Sequence, residues 1–260
     1  MGVGCVTCHV VGDQILAVPK ANGAEHDGEH HALTRTAAFE GQAACGGCHE
    51  FPFPGEGHRK EPLLMQSTMK EHALSSYSDR SCASCHMPVT PGKTGKHKHH
   101  GFAASRDEAQ VRSAIVVEEP SFDGQVFLLR LRPGVVGHAF PTGDMLRRLA
   151  VVIEVEDAEG KAVAGQTRFL ARHFAMTHEP HKVPRRVLSK DDRVGAGPGP
   201  VEVRYAVRAA PEGGRLRYTL RYERVSDPNG AENGGALVEG AILLAEGTLP
   251  LKAATAVTAP

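Results

Sequence analysis

A five-residue motif, Cys-x-x-Cys-His, occurs three times in this chain and limits its possible folds more than any other feature. The copies lie at residues 5–9, 45–49 and 82–86, and together they use all six cysteines of the 260-residue sequence. With this spacing two thiols lie one short turn apart, where they can form thioethers to the two vinyl groups of a porphyrin, and the adjoining histidine lies under the iron. The sequence therefore predicts three covalently attached haem c groups.

Two other interpretations of paired cysteines explain the pattern less well. A Cys-x-x-Cys pair also occurs as a redox dithiol or as half of a zinc site. Zinc needs four ligands, usually from a second Cys or His pair at a set distance, whereas each cluster here offers three contiguous groups. The predicted thioether residues are Cys5, Cys8, Cys45, Cys48, Cys82 and Cys85. The predicted proximal iron ligands are His9, His49 and His86.

The distribution of these residues divides the chain in two. All six cysteines and 11 of the 15 histidines precede residue 101. Residues 1–110 have little of the periodic apolar pattern that builds a protein core, so closely packed haems would have to supply much of that core. We expect this trihaem domain to consist of short helices at each motif and at residues 61–74, joined by loops such as residues 93–100.

From about residue 111 the apolar pattern changes to a period of two. Residues 201–208 and 215–222 alternate apolar with mostly charged side chains, which predicts half-buried antiparallel strands. Further strands are predicted at residues 113–118, 125–132, 150–156, 168–175 and 241–249, with a hairpin turn at residues 157–160. So many short strands favour a two-sheet sandwich. We expect an α+β fold, with an N-terminal haem-packed domain of short helices and loops, an antiparallel β-sandwich at residues 111–252 and a tail at residues 253–260.

Charge and hydropathy bear on partners and location. Thirty Lys and Arg balance 30 Asp and Glu, which gives no support for nucleic acid or an anionic membrane as a partner. No apolar run is long enough for a transmembrane helix. Haem c is attached after export, so we expect a periplasmic or extracellular protein. Only four residues precede Cys5, too few for a signal peptide, which predicts a mature form, a truncated chain or a mis-started reading frame.

Each haem iron has a second axial position, and its occupant decides whether the site transfers electrons or performs chemistry. Met87 and Phe51 follow a proximal histidine so closely that they lie on the wrong side of the porphyrin. The remaining candidates are the other histidines and methionines: His26, His30, His31, His58, His72, His97, His99, His100, His138, Met65, Met69, Met145 and Met176. The candidates placed best in the chain are His31, His72, His100 and His138.

The position of His138 differs from that of the others, because it belongs to the predicted β domain. It lies in the segment Gly-His-Ala-Phe-Pro-Thr-Gly at residues 137–143. Two glycines permit a tight loop and the proline stiffens it. Such a loop is suited to carry a histidine across a domain boundary. The alternative is that His138 only forms a hydrogen bond within a structural turn.

Several of these motifs together resemble a family of bacterial multihaem c-type cytochromes with a β-rich C-terminal domain. The resemblance rests on the three Cys-x-x-Cys-His motifs, Cys-His-Met-Pro at the third, His-Gly-Phe at residues 100–102 and the 137–143 segment, and it extends to about residue 175. The family is distantly related to the tetrahaem cytochromes of ammonia and hydroxylamine oxidation. The resemblance implies that His100 and His138 are axial ligands and that Arg147 or Arg148 lies near a propionate. Relatives generally carry a further haem upstream and an aromatic residue at position 72.

Two classes of function fit these observations. The first is electron transfer through three low-spin haems, mostly ligated by two histidines, with potentials below those of His/Met cytochromes. The second is a multihaem oxidoreductase with one open haem that acts on a small nitrogen or sulfur compound. The histidines suffice to close every iron and no catalytic cluster is evident, which favours the electron carrier and predicts no catalytic residues. The expected partners are redox proteins, further copies of this chain or other multihaem cytochromes.

Overall fold

The computed structural model describes residues 4–19, 32–93, 95–102, 104–178, 180–181, 183–227 and 236–251. Strands make up 45% of the structure and helices 14%. No helix in these ranges is both long and apolar enough to cross a membrane. The predicted tail and three candidate ligands, His26, His30 and His31, lie outside the described residues.

Every helix in the described ranges is short. The α-helices are α1 Cys5–His9, α2 Ala43–His49, α3 Thr68–Ala73, α4 Cys82–His86 and α5 Glu108–Ser113, and a 3-10 helix covers Ala37–Phe39. The start of α5 is capped by the Asp107 carboxylate, which accepts a hydrogen bond from the Gln110 N–H at 2.9 Å. Helices of one or two turns are unstable alone, so tertiary contacts must hold them in place.

Small sheets accompany the motif helices. The strands of this region are β1 Val10–Val11, β2 Gln14–Ala17, β3 Thr34–Arg35, β4 Glu50–Pro52, β5 Leu64–Ser67, β6 Val89–Gly92 and β7 Gly95–Lys98. They pair as a three-stranded sheet β1-β2-β3 and as the hairpins β4-β5 and β6-β7. Strand β1 begins directly after α1, and β4 directly after α2. The chain thus leaves these helices in an extended conformation and pairs with the strand that follows.

The predicted α+β fold, with an N-terminal domain of short helices and loops, was therefore wrong: strands dominate and run through both halves of the chain. Residues 61–74, predicted as one helix, form strand β5 before helix α3 begins. The reason is tertiary, because β5 pairs with β4 from Leu64 to Ser67 and this pairing overrides the local helix preference. Residues 93–100, predicted as a loop, contribute strand β7 to a hairpin.

The second half of the chain contains longer strands. They are β8 Ile115–Val117, β9 Ser121–Phe122, β10 Val126–Pro133, β11 Arg147–Glu156, β12 Ala162–Leu170, β13 Arg172–Met176, β14 Arg186–Asp191, β15 Val201–Ala206, β16 Arg215–Asp227 and β17 Leu237–Pro250. One sheet has the order β15-β10-β8, with β9 also paired to β10, and another has the order β12-β11-β16-β17. Strands β13 and β14 form a separate hairpin.

The alternating pattern of these strands builds one hydrophobic core. Phe127 and Leu129 of β10, together with Leu216 and Leu220 of β16, are fully buried and belong to a cluster shared by the two larger sheets. The strands predicted at residues 125–132 and 215–222 are confirmed by β10 and β16. The predicted strand at residues 168–175 is interrupted at Ala171, whose N–H donates to the Asp192 carboxylate at 2.9 Å.

The loop between β10 and β11 leads to the candidate site. Its Phe140 forms two backbone hydrogen bonds with Val194, of 2.8 and 2.9 Å, and its ring packs against Tyr222 with the ring centres 5.7 Å apart. The peptide bond between Phe140 and Pro141 is cis. The core thus anchors this loop two residues after His138, which leaves the histidine at the border between the two halves of the chain.

Candidate haem-binding sites

Each Cys-x-x-Cys-His motif lies in a short helix that ends with the same hydrogen bond. The N–H of the residue after the histidine donates to the carbonyl four residues earlier: Val10 to Val6, Glu50 to Gly46, and Met87 to Ala83. On a helix, residues three or four positions apart share one face. The two thiols and the imidazole of each motif are therefore presented together, as attachment of a porphyrin requires.

The second and third motifs touch each other. All six cysteines are free thiols and none is fully buried. The Cys45 and Cys82 thiols interact, and this interaction is the main cause that raises the pKa of Cys45 and lowers the pKa of Cys82 to about 6. A haem attached at the second motif and a haem attached at the third would therefore lie against each other.

Two of the motif histidines face a histidine from elsewhere in the chain. The ring centres of His9 and His100 are 6.2 Å apart. Those of His86 and His138 are 6.3 Å apart, with the ring planes 10° from parallel. The second pair joins α4 to the loop between β10 and β11, and so spans the two halves of the chain.

Hydrogen bonds fix the tautomer of one histidine in each pair. A backbone carbonyl only accepts, so the 2.8 Å contact between His9 Nδ1 and the Leu16 carbonyl places the proton on Nδ1. The 3.0 Å contact between His138 Nδ1 and the Ala139 carbonyl does the same. Burial lowers the pKa of His138, which keeps its imidazole neutral. In both residues the Nε2 lone pair is left free to bind a metal.

The distance between the ring centres of each pair can be compared with the distance expected for two imidazoles bound to one iron. With each metal–nitrogen bond about 2 Å long, the two ring centres lie about 6 Å apart. Both observed distances agree with this geometry. Among the described residues, no three or more His, Cys, Asp or Glu side chains are arranged to hold a metal ion by themselves. The residues present therefore fit a group that brings its own equatorial ligands, as a porphyrin does.

The surroundings of His49 differ from those of the other two motif histidines. Burial is the main cause that lowers the pKa of His49, and the nearby His86 adds to it. Among the described residues, no imidazole ring is paired with that of His49 as in the other two motifs. The candidate His31 lies outside the described residues, so its position relative to His49 stays a prediction.

The candidate ligand His72 is 7% exposed, and its Nδ1 has no hydrogen-bond partner in the part of the chain that the structure describes. It lies on α3 and packs against Gly137 in the loop between β10 and β11. A Cβ atom placed on Gly137 would lie only 3.2 Å from His72 Cδ2. The same added atom would be 3.3 Å from Cβ of Tyr77. His72 therefore packs against the loop that carries His138, and within the described residues its ring is not paired with a motif histidine.

The structure also locates several of the remaining candidates. Met69 packs near Gly46 of the second motif. A Cβ atom placed on Gly46 would lie 3.9 Å from Met69 Cε. Met145 and Met176 line a cavity of about 250 Å³, together with Arg147 and Arg148. Both arginines have carboxylate partners, Arg147 with Asp144 at 3.8 Å and Arg148 with Glu223 at 2.8 Å.

A buried ionic network, which the sequence did not reveal, fixes the loop that carries His138. Arg193 donates to Glu71 of α3 at 2.8 Å and to the Pro141 carbonyl at 3.0 Å. Glu71 also accepts from the hydroxyl groups of Thr142 and Ser67, each at 2.6 Å. Burial alone would raise the pKa of Glu71, but Arg193 and the two hydroxyl donors outweigh it and hold that pKa below its ordinary value. A charged carboxylate thus joins α3 to the loop and to the end of β14.

Replacement of Glu71 by glutamine is expected to loosen this connection. The amide cannot pair ionically with Arg193, so we expect the free energy of unfolding to fall by about 2–3 kcal/mol. Hydrogen exchange should accelerate at the amides of α3 and of residues 137–143. Chemical denaturation and amide hydrogen exchange measure both effects.

The matched control for this change is Glu156→Gln. Glu156 is also buried and pairs with Arg215, but this arginine is half exposed and lies at the far end of the β11–β16 sheet. We expect a loss of about 1 kcal/mol or less, with no change in exchange at α3. Equal effects of the two variants on residues 137–143 would show that Glu71 has no special role in holding the loop.

Comparison with known proteins identifies a shared fold. No protein-family model matches the chain, and a search of curated proteins finds no match. Among solved structures, a penta-heme cytochrome c552 from Thermochromatium tepidum matches with a TM-score of 0.67. The match covers 96% of this chain and 77% of that chain, at 20% sequence identity. At this identity, the likeness establishes a common fold.

Proposed function

We propose that this chain is a multihaem c-type cytochrome that transfers electrons through three covalently attached haems. The observation that carries the proposal is the pair of facing histidines at two of the three motifs, with ring centres 6.2 and 6.3 Å apart. In each pair one histidine belongs to a Cys-x-x-Cys-His motif and the other comes from a distant part of the chain. The fold shared with a penta-heme cytochrome c552 supports the same class of protein.

The proposed roles of the residues follow from the motifs and these pairs. The six cysteines form the thioethers, and His9, His49 and His86 are the proximal ligands. We assign His100 as the distal ligand opposite His9, and His138 as the distal ligand opposite His86. For the iron beside His49, His31 stays the candidate, and the distal candidate His72 is not assigned to an iron.

When bound, each haem would supply an iron that changes reversibly between the ferric and ferrous states by one electron. The contribution of the chain would be to hold two of these groups with paired imidazoles, His9 with His100 and His86 with His138. Backbone carbonyls that accept from Nδ1 hold His9 and His138 in the tautomer that leaves Nε2 free. An iron held by two histidines would have no site left for a substrate, which favours electron transfer over catalysis.

A second candidate function is a multihaem oxidoreductase with one open haem that acts on a small nitrogen or sulfur compound. It is favoured by the surroundings of the second motif, because no imidazole of the described residues is paired with His49. An open iron beside His49 would bind small ligands directly. The two candidates therefore differ in the state of one iron.

Location, partners and domain boundaries follow from the same proposal. Attachment of haem c outside the cytoplasm favours a periplasmic or extracellular protein. The expected partners are redox proteins, further copies of this chain or other multihaem cytochromes. We propose a haem-carrying segment at residues 1–110 and a β domain at residues 111–252.

The spectrum of the oxidised protein tests the proposed function. We expect optical and electron paramagnetic resonance spectra of six-coordinate, low-spin haem at all three sites, because paired imidazoles give a strong ligand field. These spectra should not change when cyanide or nitrite is added briefly. A persistent high-spin fraction that binds either anion at once would favour the oxidoreductase.

A further inference from the structure

The longest stretch of the sequence without an acidic residue contains the third motif and His100. From Arg80 to Arg106 the chain has three lysines, two arginines and four histidines but no aspartate or glutamate, although the whole chain has a formal charge of zero. Three of these cations belong to the hairpin of β6 and β7, which we call the cationic hairpin (residues 89–98). They are Lys93, Lys96 and Lys98.

The charges of the cationic hairpin are not neutralised within the part of the chain that the structure describes. No carboxylate of the described residues lies within 4.0 Å of any of its three lysines. Lys98 instead donates to the Ala83 carbonyl at 3.4 Å. Lys93 and Lys96 are exposed, and exposed Val89 provides an apolar contact beside them. An exposed cluster of one sign with an apolar centre is suited to bind a surface of opposite charge.

The base of the cationic hairpin lies between two proposed haem sites. Lys98 bonds to helix α4 of the third motif. The N–H of His99, the next residue, donates to the Pro88 carbonyl at 2.8 Å, which fixes both ends of the hairpin. His100 follows directly and faces His9 of the first motif. A protein bound at the hairpin would therefore be close to two of the proposed haems.

We infer that the cationic hairpin is the docking surface for an acidic redox protein. This inference rests on the proposed function, because the position of the hairpin matters only if the motifs carry haems. An anionic membrane is the other possible occupant, but membrane-binding segments usually have clusters of four to eight lysines or arginines or an amphipathic helix. Three lysines on a short hairpin fit a protein surface better.

Binding of a plant-type ferredoxin, a small acidic redox protein, tests the inference. At an ionic strength of about 10 mM, where the screening length is about 30 Å, the haem-loaded protein should bind ferredoxin measurably by isothermal titration calorimetry. The double variant Lys93→Glu/Lys96→Glu should bind at least about 10-fold more weakly. Its rate of reduction by ferredoxin should fall by a similar factor, and both differences should shrink at high salt.

The control Lys161→Glu/Arg208→Glu changes the net charge by the same amount. Lys161 follows β11 and Arg208 follows β15, and both positions are exposed. They lie at the ends of the sheets away from the loop of His138, so ferredoxin binding should stay within about 2-fold of wild type. Equal losses in the two double variants would show that only net charge matters and would overturn the inference.

Two further outcomes would also overturn it. Unchanged ferredoxin binding in the hairpin variant, together with a shifted potential of one haem, would show that the lysines pair with propionates. Hairpin-dependent sedimentation with phosphatidylserine vesicles, without ferredoxin binding, would assign the surface to a membrane. In either case an intact low-spin spectrum would leave the proposed electron-transfer function standing, whereas a chain without haem would remove that function as well.

Discussion

A variant in which both Cys82 and Cys85 are replaced by alanine is expected to carry two haems instead of three. Both thioethers of the third motif would be absent, so a porphyrin held only by histidine ligands would be released on denaturation. Intact mass measured under denaturing conditions should exceed that of the polypeptide by three haems in the wild type and by two in the variant. The protein must be produced with export and with the haem-attachment machinery.

Loss of the third haem should also reduce stability more than a pair of surface substitutions would. His86 and His138 come from different halves of the chain and face each other at 6.3 Å, so the iron between them would join those halves. We therefore expect lower resistance to denaturant in the variant.

The control lies inside the same motif. Ser84 stands between the two cysteines and donates to the Ser81 carbonyl at 2.6 Å. Ser84→Ala should keep three haems, because it changes neither a thioether nor a ligand. A wild-type protein with the mass of the bare polypeptide, or one that carries zinc in place of haem, would contradict the proposal.

Local patterns in the sequence predicted the long strands of the second half well. In β16 every second residue from Leu216 to Tyr222 is buried, and the arginines between them point outward. Such alternation depends on a single physical fact, the period of two in a strand, so it can be recognised without knowing the partner strands. The predicted turn at residues 157–160 is likewise confirmed, since Gly160 N–H donates to the Asp157 carbonyl.

The strands of the first half were not predictable in this way. Strands of two to four residues such as β1, β3 and β4 are too short to show a period. Their formation depends on pairing with distant segments, as when Leu16 pairs with Thr34. Local propensity favoured a helix at residues 61–74, but pairing with β4 decided the structure of β5.

The candidate site was predictable in part. The three motifs are local signals, and resemblance to a family indicated His100 and His138, which the structure places opposite His9 and His86. The Glu71–Arg193 pair had no such signal. Its members are 122 residues apart in sequence, and each alone resembles an ordinary surface charge. Only the tertiary fold, which brings α3, the loop and Arg193 after β14 together, makes them a buried connection.

The variant His138→Ala is expected to keep all three haems but to change the state of one. The cysteines are intact, so attachment should proceed as in the wild type. Removal of the imidazole opposite His86 should convert one of the three irons to the high-spin state. Because an imidazole stabilises ferric iron, its loss should also raise the reduction potential of that haem. Electron paramagnetic resonance and spectroelectrochemical titration measure these changes.

The same change should weaken the connection between the two halves of the chain. In the proposed state an Fe–N bond joins the loop between β10 and β11 to the haem attached at α4. After the substitution only the network around Glu71 and the other noncovalent contacts remain. Limited proteolysis should therefore cut the His138→Ala variant more readily between residues 102 and 115 than the wild type.

A matched control and a rescue separate ligation from a structural role of the loop. His178 is exposed and distant in sequence from the motifs, so His178→Ala should retain three low-spin haems and unchanged potentials. In His138→Gly, imidazole added to the solution should enter the vacated space and restore the low-spin spectrum. If His138 only bonded to the Ala139 carbonyl within a turn, its replacement would lower stability while all three haems stayed low-spin. In that case the distal ligand must come from elsewhere, and buried His72, whose Nδ1 has no partner among the described residues, is the first residue to replace.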